Sequence, residues 1–278
     1  MPTRVRRRSI PLGGRIVPYL VAGSGSPLLI IHGGGAGAES WQHNILELAK
    51  NHTVYAPHLP GIGDTPAVSE EFDYPDFVAF VEDFVSGVNL SSFDLMGHSL
   101  GGCLALQYAL KHPEKVNSLV LVSSMGLGKE VGLLPAILTS RAICNGVSLR
   151  LFGGAVLLRE LLGSAAMNPI HMLRCFPRVT FSMWRRIIRA GRQTLDLSDR
   201  LCELSMPTMI VWGSRDLTMP VQHAYKAVRL IPDCRIHVIP GCGHSVYRQK
   251  LDEFTEVIDD FTGRSGLAPL AVDLNPGP

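Results

Sequence analysis

Along most of this chain, short apolar runs of strand length alternate with helical stretches, and that alternation limits the fold more than any other feature. Apolar runs fall at 28–31, 53–57, 93–96, 116–123, 208–212 and 235–239, and helical patterning falls near 40–50, 75–88, 100–111, 220–230 and 250–262. A chain ordered in this way is expected to fold as α/β, with a mostly parallel central sheet flanked by helices. Ahead of it, Arg4 to Val21 reads as a hairpin that turns at Leu12-Gly13-Gly14, with its arginines on a solvated strand face. At 278 residues, 46% hydrophobic and 18% charged, the chain has material for one core plus an insertion.

The alternation breaks between 127 and 200, which is helical in texture and carries eleven Lys and Arg against four Asp and Glu, a net of +7 where the whole chain has +2. Three readings of that basic stretch stay open: a solvated helix face, attraction of an anionic substrate, or contact with a membrane surface, the last not favoured. Its apolar residues, Met183, Trp184, Ile187 and Ile188 among them, would roof an apolar pocket. No apolar run reaches the roughly 18 residues of a membrane span, and Pro11, Gly13 and Pro18 interrupt any signal-peptide core after the N-terminal arginines. The six cysteines are scattered without C-x-x-C or metal-ligand spacing, which points to a reducing, cytoplasmic setting and to no metal. The Gly- and Pro-rich end, 265–278, reads as a flexible tail.

The segment Phe93-Asp94-Leu95-Met96-Gly97-His98-Ser99-Leu100-Gly101-Gly102 reads as strand, glycine-pinched turn and helix, with a serine at the turn. That is the geometry a serine nucleophile needs, although G-x-S-x-G alone is a weak signal. The helix is expected to stop at His112-Pro113, since Pro disfavours helix in its predecessor. Gly101 and Gly102 cost helix propensity and imply close packing of the first turn. After the run at 28–31 comes His32-Gly33-Gly34-Gly35, whose bare N–H groups could face an oxyanion. Asp216 follows the run at 208–212 and His244 follows the run at 235–239. The order Ser, Asp, His is the one found in α/β-hydrolases.

Taken in order, HGGG at 32–35, PGIGD at 60–64, GHSLGG at 97–102, WGSRD at 212–216 and GCGH at 241–244 make the chain resemble an α/β-hydrolase-fold serine hydrolase over 10–126 and 201–262. The resemblance implies a core at 1–126 and 201–264 with an inserted helical cap at 127–200. It also implies Ser99 as nucleophile, His244 as base and Asp216 as its orienting acid. The oxyanion hole would be formed by the backbone N–H of Leu100, next after the nucleophile, and of Gly34, from the HG-x pattern. No cofactor is implied. Epoxide hydrolases and haloalkane dehalogenases of this fold use an aspartate where Ser99 stands, and no P-loop or G-x-G-x-x-G unit is present.

His244 competes with His223, expected on a helix after Pro220, and with His237, inside an apolar alternation. Asp216 competes with Asp94, placed before the nucleophile strand, and with Asp199, in the cap. The position after the run at 116–123 holds Ser123-Ser124, not an acid. His32 and His98 read as structural neighbours of their turns, and Asp64 as a loop-capping residue. The expected partner is a small acyl substrate, not nucleic acid; the oligomeric state is left open. Cleavage of an ester or related acyl bond is the leading expectation. The stretch 32–41 resembles the loop of meta-cleavage-product hydrolases, which split a C–C bond, and a basic cap suits their carboxylate substrates. Against that family, His98 replaces its usual Asn, Ser245 replaces an aromatic, and His58 replaces the Asp of D-x-P-G. A non-hydrolytic binding member of the fold is the third reading.

Overall fold

The computed structural model describes residues 4–34, 37–61, 74–129 and 195–263. The cap expected at 127–200 falls almost wholly outside these residues, as do the tail at 265–278, Gly35 and Asp64.

One eight-stranded sheet is formed by β1 (Arg6–Leu12), β2 (Arg15–Ala22), β3 (Ser26–Ile31), β4 (His52–Pro57), β5 (Phe93–His98), β6 (Val116–Val122), β7 (Thr208–Gly213) and β8 (Cys234–Ile239), in the order β1-β2-β4-β3-β5-β6-β7-β8. β2 is antiparallel to both its neighbours and every other pairing is parallel. Seven strands therefore end at the same edge, the edge where open α/β sheets place their ligand sites. β1 and β2 join through Gly13 (φ +52°) and Gly14 (φ +74°), a two-residue turn with both centres in the left-handed region, which glycine enters without steric cost. The arginines of β1 are exposed on this edge strand, where charge discourages pairing with another sheet.

The helices are α1 (Gln42–Leu48), α2 (Tyr74–Gly87), α3 (Leu100–Lys111), α4 (Gln222–Ala227), α5 (Val246–Gln249) and α6 (Leu251–Gly263). They cover both faces. Leu29 and Ile31 of β3 meet Phe77, Phe84 and Leu104, from α2 and α3. Leu28 and Ile30 meet Ile45, Phe254 and Ile258, from α1 and α6. Burial on both faces is why the strands read as continuous apolar runs. In α2, Phe77, Val81 and Phe84 repeat at helical spacing, and each fully buried side chain of this kind stabilises by about 1.5–3 kcal/mol.

Three local readings change. Asp94 lies inside β5, not before it, because Ser118 on β6 supplies the hydrogen bond that lets a carboxyl enter the sheet. The helix expected near 40–50 begins as a 3-10 turn at Ala38–Trp41, and α4 is shorter than the 220–230 expected. Residues 195–203 pack on the core through Leu195, Leu197 and Leu201.

Candidate active site

Between the last residue of β5 and the first of α3, Ser99 sits at φ +54°, ψ −117°. A non-glycine residue held there carries strain on the order of 1–3 kcal/mol and persists only where its surroundings impose it. They do so through the main chain. The Ser99 N–H donates to the Val122 carbonyl (3.0 Å), and its carbonyl accepts from Gly102, Cys103 and Met125 (3.0, 3.2 and 3.0 Å). The glycines follow from packing. A Cβ on Gly97 would lie 2.2 Å from the Gly101 oxygen, and one on Gly101 would lie 2.2 Å from the Ile31 oxygen. One on Gly102 would lie 2.3 Å from Ser124 Oγ. The two glycines, costly to helix propensity, let the first turn press onto β3 at Gly101 and onto the loop after β6 at Gly102.

The loops after β7 and β8 are tied to each other. Ser214 N–H donates to the Ile239 carbonyl (3.1 Å), Arg215 N–H to that of Cys242 (2.8 Å), and Gly241 N–H to Ser214 Oγ (2.9 Å). Gly213 permits the crossing, since a Cβ there would sit 2.2 Å from the Gly243 oxygen. These ties bring Asp216 Oδ2 to 2.9 Å from His244 Nδ1. Asp216 Oδ1 accepts from the N–H groups of Thr218 (2.8 Å) and Met219 (2.9 Å). The Asp216 side chain is fully buried and that of His244 nearly so. Burial alone would raise the Asp216 pKa. The charge and hydrogen bond of His244, with the two N–H donors, outweigh it and hold the carboxyl below its usual value. An ionised carboxylate only accepts, so Nδ1 of His244 carries the proton toward it and Nε2 is left for other chemistry.

On the other side of the elbow, His32 donates from Nδ1 to the Gly33 carbonyl (2.7 Å) and accepts at Nε2 from the Leu59 N–H (2.9 Å). Burial drives its pKa down to about 4, so it is a neutral clamp between the loops after β3 and β4. A Cβ on Gly33 would meet His98 Nδ1 at 2.7 Å and Ser99 Cβ at 3.3 Å, so only glycine lets this loop lie against the elbow. Gly34 follows, buried. Leu100 opens α3, and a first-turn N–H has no acceptor within its own helix. His58, where the resemblance anticipated Asp, is buried with Nε2 3.0 Å from Glu39 Oε1. Burial would raise the Glu39 carboxyl, but the hydrogen bond and charge of His58 prevail and lower it to about 2.

The competing residues stand elsewhere. His223 is buried on α4, and His237 on β8 pairs with Glu253 at 3.1 Å. Asp94 sits at the opposite edge of the sheet accepting from Ser118 (2.7 Å), and Asp199 is exposed. Reading the sequence missed two features. Trp41 stacks on Tyr247 at 3.8 Å and 6°, joining the turn behind the glycine loop to the helix behind His244; nothing in the order of residues signals so distant a pair. The glycine of W-G-S-R-D was visible, but its reason, Gly243, was not. Among the described residues no group of three or more His, Cys, Asp or Glu could hold a metal ion, and no helix is long and apolar enough to cross a membrane.

A strained serine elbow facing glycine-rich and acid–histidine loops at the C-terminal edge of this sheet defines a class, and comparison agrees. Residues 28–257 match the alpha/beta hydrolase family, and the chain belongs to it. It is 30% identical, over 92% of its own length and 91% of the relative's, to a 2-hydroxy-6-oxo-6-(2'-aminophenyl)hexa-2,4-dienoic acid hydrolase of Metapseudomonas resinovorans. Among solved structures it is similar to a putative lipase of Acinetobacter baumannii (TM-score 0.80, 23% identity, 94% and 92% of the two chains). It is also similar to a meta-cleavage product hydrolase of Pseudomonas fluorescens (TM-score 0.77, 22% identity, 93% and 98%). These two structures establish the fold alone.

Proposed function

We propose that this protein is a serine hydrolase that cleaves a carboxylic ester, or a related acyl bond, of an apolar small molecule through an acyl-enzyme. The observation that carries the reading is the buried Asp216–His244 pair at the same sheet edge as a serine held in a strained elbow. Ser99 Oγ attacks the substrate carbonyl carbon while His244 Nε2 takes the hydroxyl proton, because a serine hydroxyl is too weak a nucleophile without a base. Asp216 holds the imidazole with Nδ1 protonated and stabilises the imidazolium that forms. Negative charge developing on the carbonyl oxygen is met by the N–H groups of Leu100 and Gly34, each such donor contributing about 10²–10³ in turnover. His244 then returns the proton to the leaving group. Water, activated in the same way, attacks the acyl-enzyme and frees Ser99.

A second reading, C–C bond hydrolysis, is supported by similarity to the Metapseudomonas resinovorans protein named as a 2-hydroxy-6-oxo-6-(2'-aminophenyl)hexa-2,4-dienoic acid hydrolase. On that reading the same residues act on a vinylogous keto acid and release a carbon leaving group. A graded panel of aryl esters, acetyl to dodecanoyl, assayed beside a 2-hydroxy-6-oxohexa-2,4-dienoic acid with Ser99→Ala as blank, separates the two. Ser99-dependent ester cleavage with the dienoate untouched supports the first reading. The reverse supports the second, and no Ser99-dependent turnover of either overturns both.

A further inference from the structure

The residue before the serine has no part in the chemistry above, yet it adjoins Ser99 and touches His244 and the glycine loop at Gly33. His98 closes β5, and its main chain is held in the ladder opposite Val122 of β6. Its ring is buried at 5% exposure. Nε2 lies 2.9 Å from the carbonyl oxygen of His244. A carbonyl only accepts, so Nε2–H donates and the proton of this ring is on Nε2. The His98 and His244 rings are 4.7 Å apart, centroid to centroid. The other nitrogen, Nδ1, has no hydrogen-bond partner among the described residues and faces Gly33, where an added Cβ would come within 2.7 Å. Burial, reinforced by the charge of His244, lowers the pKa of His98 to about 3, so the donor keeps the same form across the neutral range.

We propose that His98 is a positioning residue, whose Nε2–H tethers the main chain of the His244 loop to the end of β5 and so fixes where the imidazole stands relative to Ser99. The inference rests on the proposed roles of Ser99, Asp216 and His244. Its physical reason is the number of constraints. The bond to Asp216 sets the tautomer and one point of the ring, about which the ring can still pivot. The backbone of that loop is glycine-rich, with Gly241 at φ +74° and Gly243 beside the histidine. Arg215, Ser214 and Gln249 hold this loop at Cys242, Gly241 and Gly243, and the bond from His98, a residue locked in the sheet, adds a tether at His244 itself. The departure from Asn at position 98 then has a geometric meaning. An Asn amide reaches the place of a histidine Nδ1, whereas a Gln amide reaches the place of Nε2, so only Gln can reproduce this donor.

The test is the rate at which a fluorophosphonate labels Ser99, which needs no knowledge of the natural substrate. His98→Ala and His98→Asn are expected to slow labelling by about 10²-fold, the cost of a displacement near 1 Å, while His98→Gln stays close to wild type. Asn and Gln variants of matching thermal midpoint exclude lost stability as the cause. Equal rates in these two variants, or a wild-type rate in His98→Ala, overturn the positioning role. Wild-type protein that is not labelled, or labelling that survives Ser99→Ala, overturns instead the reading on which it rests. Nitrogen NMR of histidine-labelled wild type decides the matter if the variants do not fold: a neutral Nε2–H tautomer at His98 is expected, and an Nδ1–H tautomer refutes the tether.

Discussion

At the N-terminal edge of the sheet, His52 accepts from Ser26 (2.9 Å) and reaches Thr262 (3.0 Å), whose hydroxyl donates to the Ile258 carbonyl (2.9 Å), and Asp94 accepts from Ser118. At the C-terminal edge, His98 donates from one nitrogen while the other has no partner among the described residues, and Ser99 stands at φ +54°. Both edges bury histidine, aspartate and serine. The first pairs His52, Asp94 and Ser118, as a packed interior favours. The second holds a carboxylate kept ionised by its partners, together with backbone strain and a ring nitrogen that has no partner among the described residues; the last two cost stability, and such features cluster at functional sites. Polar residue content alone therefore does not distinguish the two edges; the difference lies in the strained backbone at Ser99 and the buried Asp216–His244 pair.

If that contrast is right, substitutions at the two edges separate activity from stability. The largest effect is expected at Ser99→Ala and His244→Ala, each lowering turnover by about 10⁴-fold or more while the protein melts cooperatively; unchanged turnover in either would break the contrast at its centre. Next comes Asp216→Asn, which keeps the shape but loses the charge that fixes the tautomer. Steady-state kinetics should show a fall in kcat of about 10⁴-fold. Gly33→Ala forces a methyl group toward His98 and Ser99, and a loss of about 10²-fold in turnover is expected from the displaced loop. At the far edge, His52→Ala should cost about 1–3 kcal/mol in a urea titration, through its lost hydrogen bonds to Ser26 and Thr262, with turnover per folded molecule unaltered. A matching fall in turnover there would erase the distinction between the edges.

The last effect is on acid stability. His32 and His98 have folded pKa values of about 4 and about 3, below the unfolded value near 6.5. Between those limits the unfolded chain binds more protons, so stability rises with pH through this window and is fully present above it. Each histidine adds a slope of at most about 1.4 kcal/mol per pH unit. Urea midpoints at pH 4.5 and pH 7 should therefore differ less in His98→Gln than in wild type; an unchanged difference would mean that His98 is not held neutral by burial.

What could be read from the residues in order is what is built from neighbours in order. The hairpin at Gly13-Gly14 and the α/β alternation depend on local sterics and on which faces are apolar, and both are written in short windows. The elbow is nearly local too: ten consecutive residues supply the strand end, the serine and the first helical turn, although Gly101 needed β3 to explain it. The candidates Ser99, Asp216 and His244 were visible as polar residues following strands, in a known order. Tertiary structure decided which of three histidines stands 2.9 Å from an aspartate, that Asp94 belongs to the other edge, and that His98 reaches the carbonyl of His244. It also paired His58 with Glu39 and Trp41 with Tyr247. Hydrogen bonds and ring stacks act over a few ångströms. Sheet order and register, such as Gly213 opposite Ile239, bring residues that are far apart in the chain within that reach, and spacing along the chain carries no measure of it.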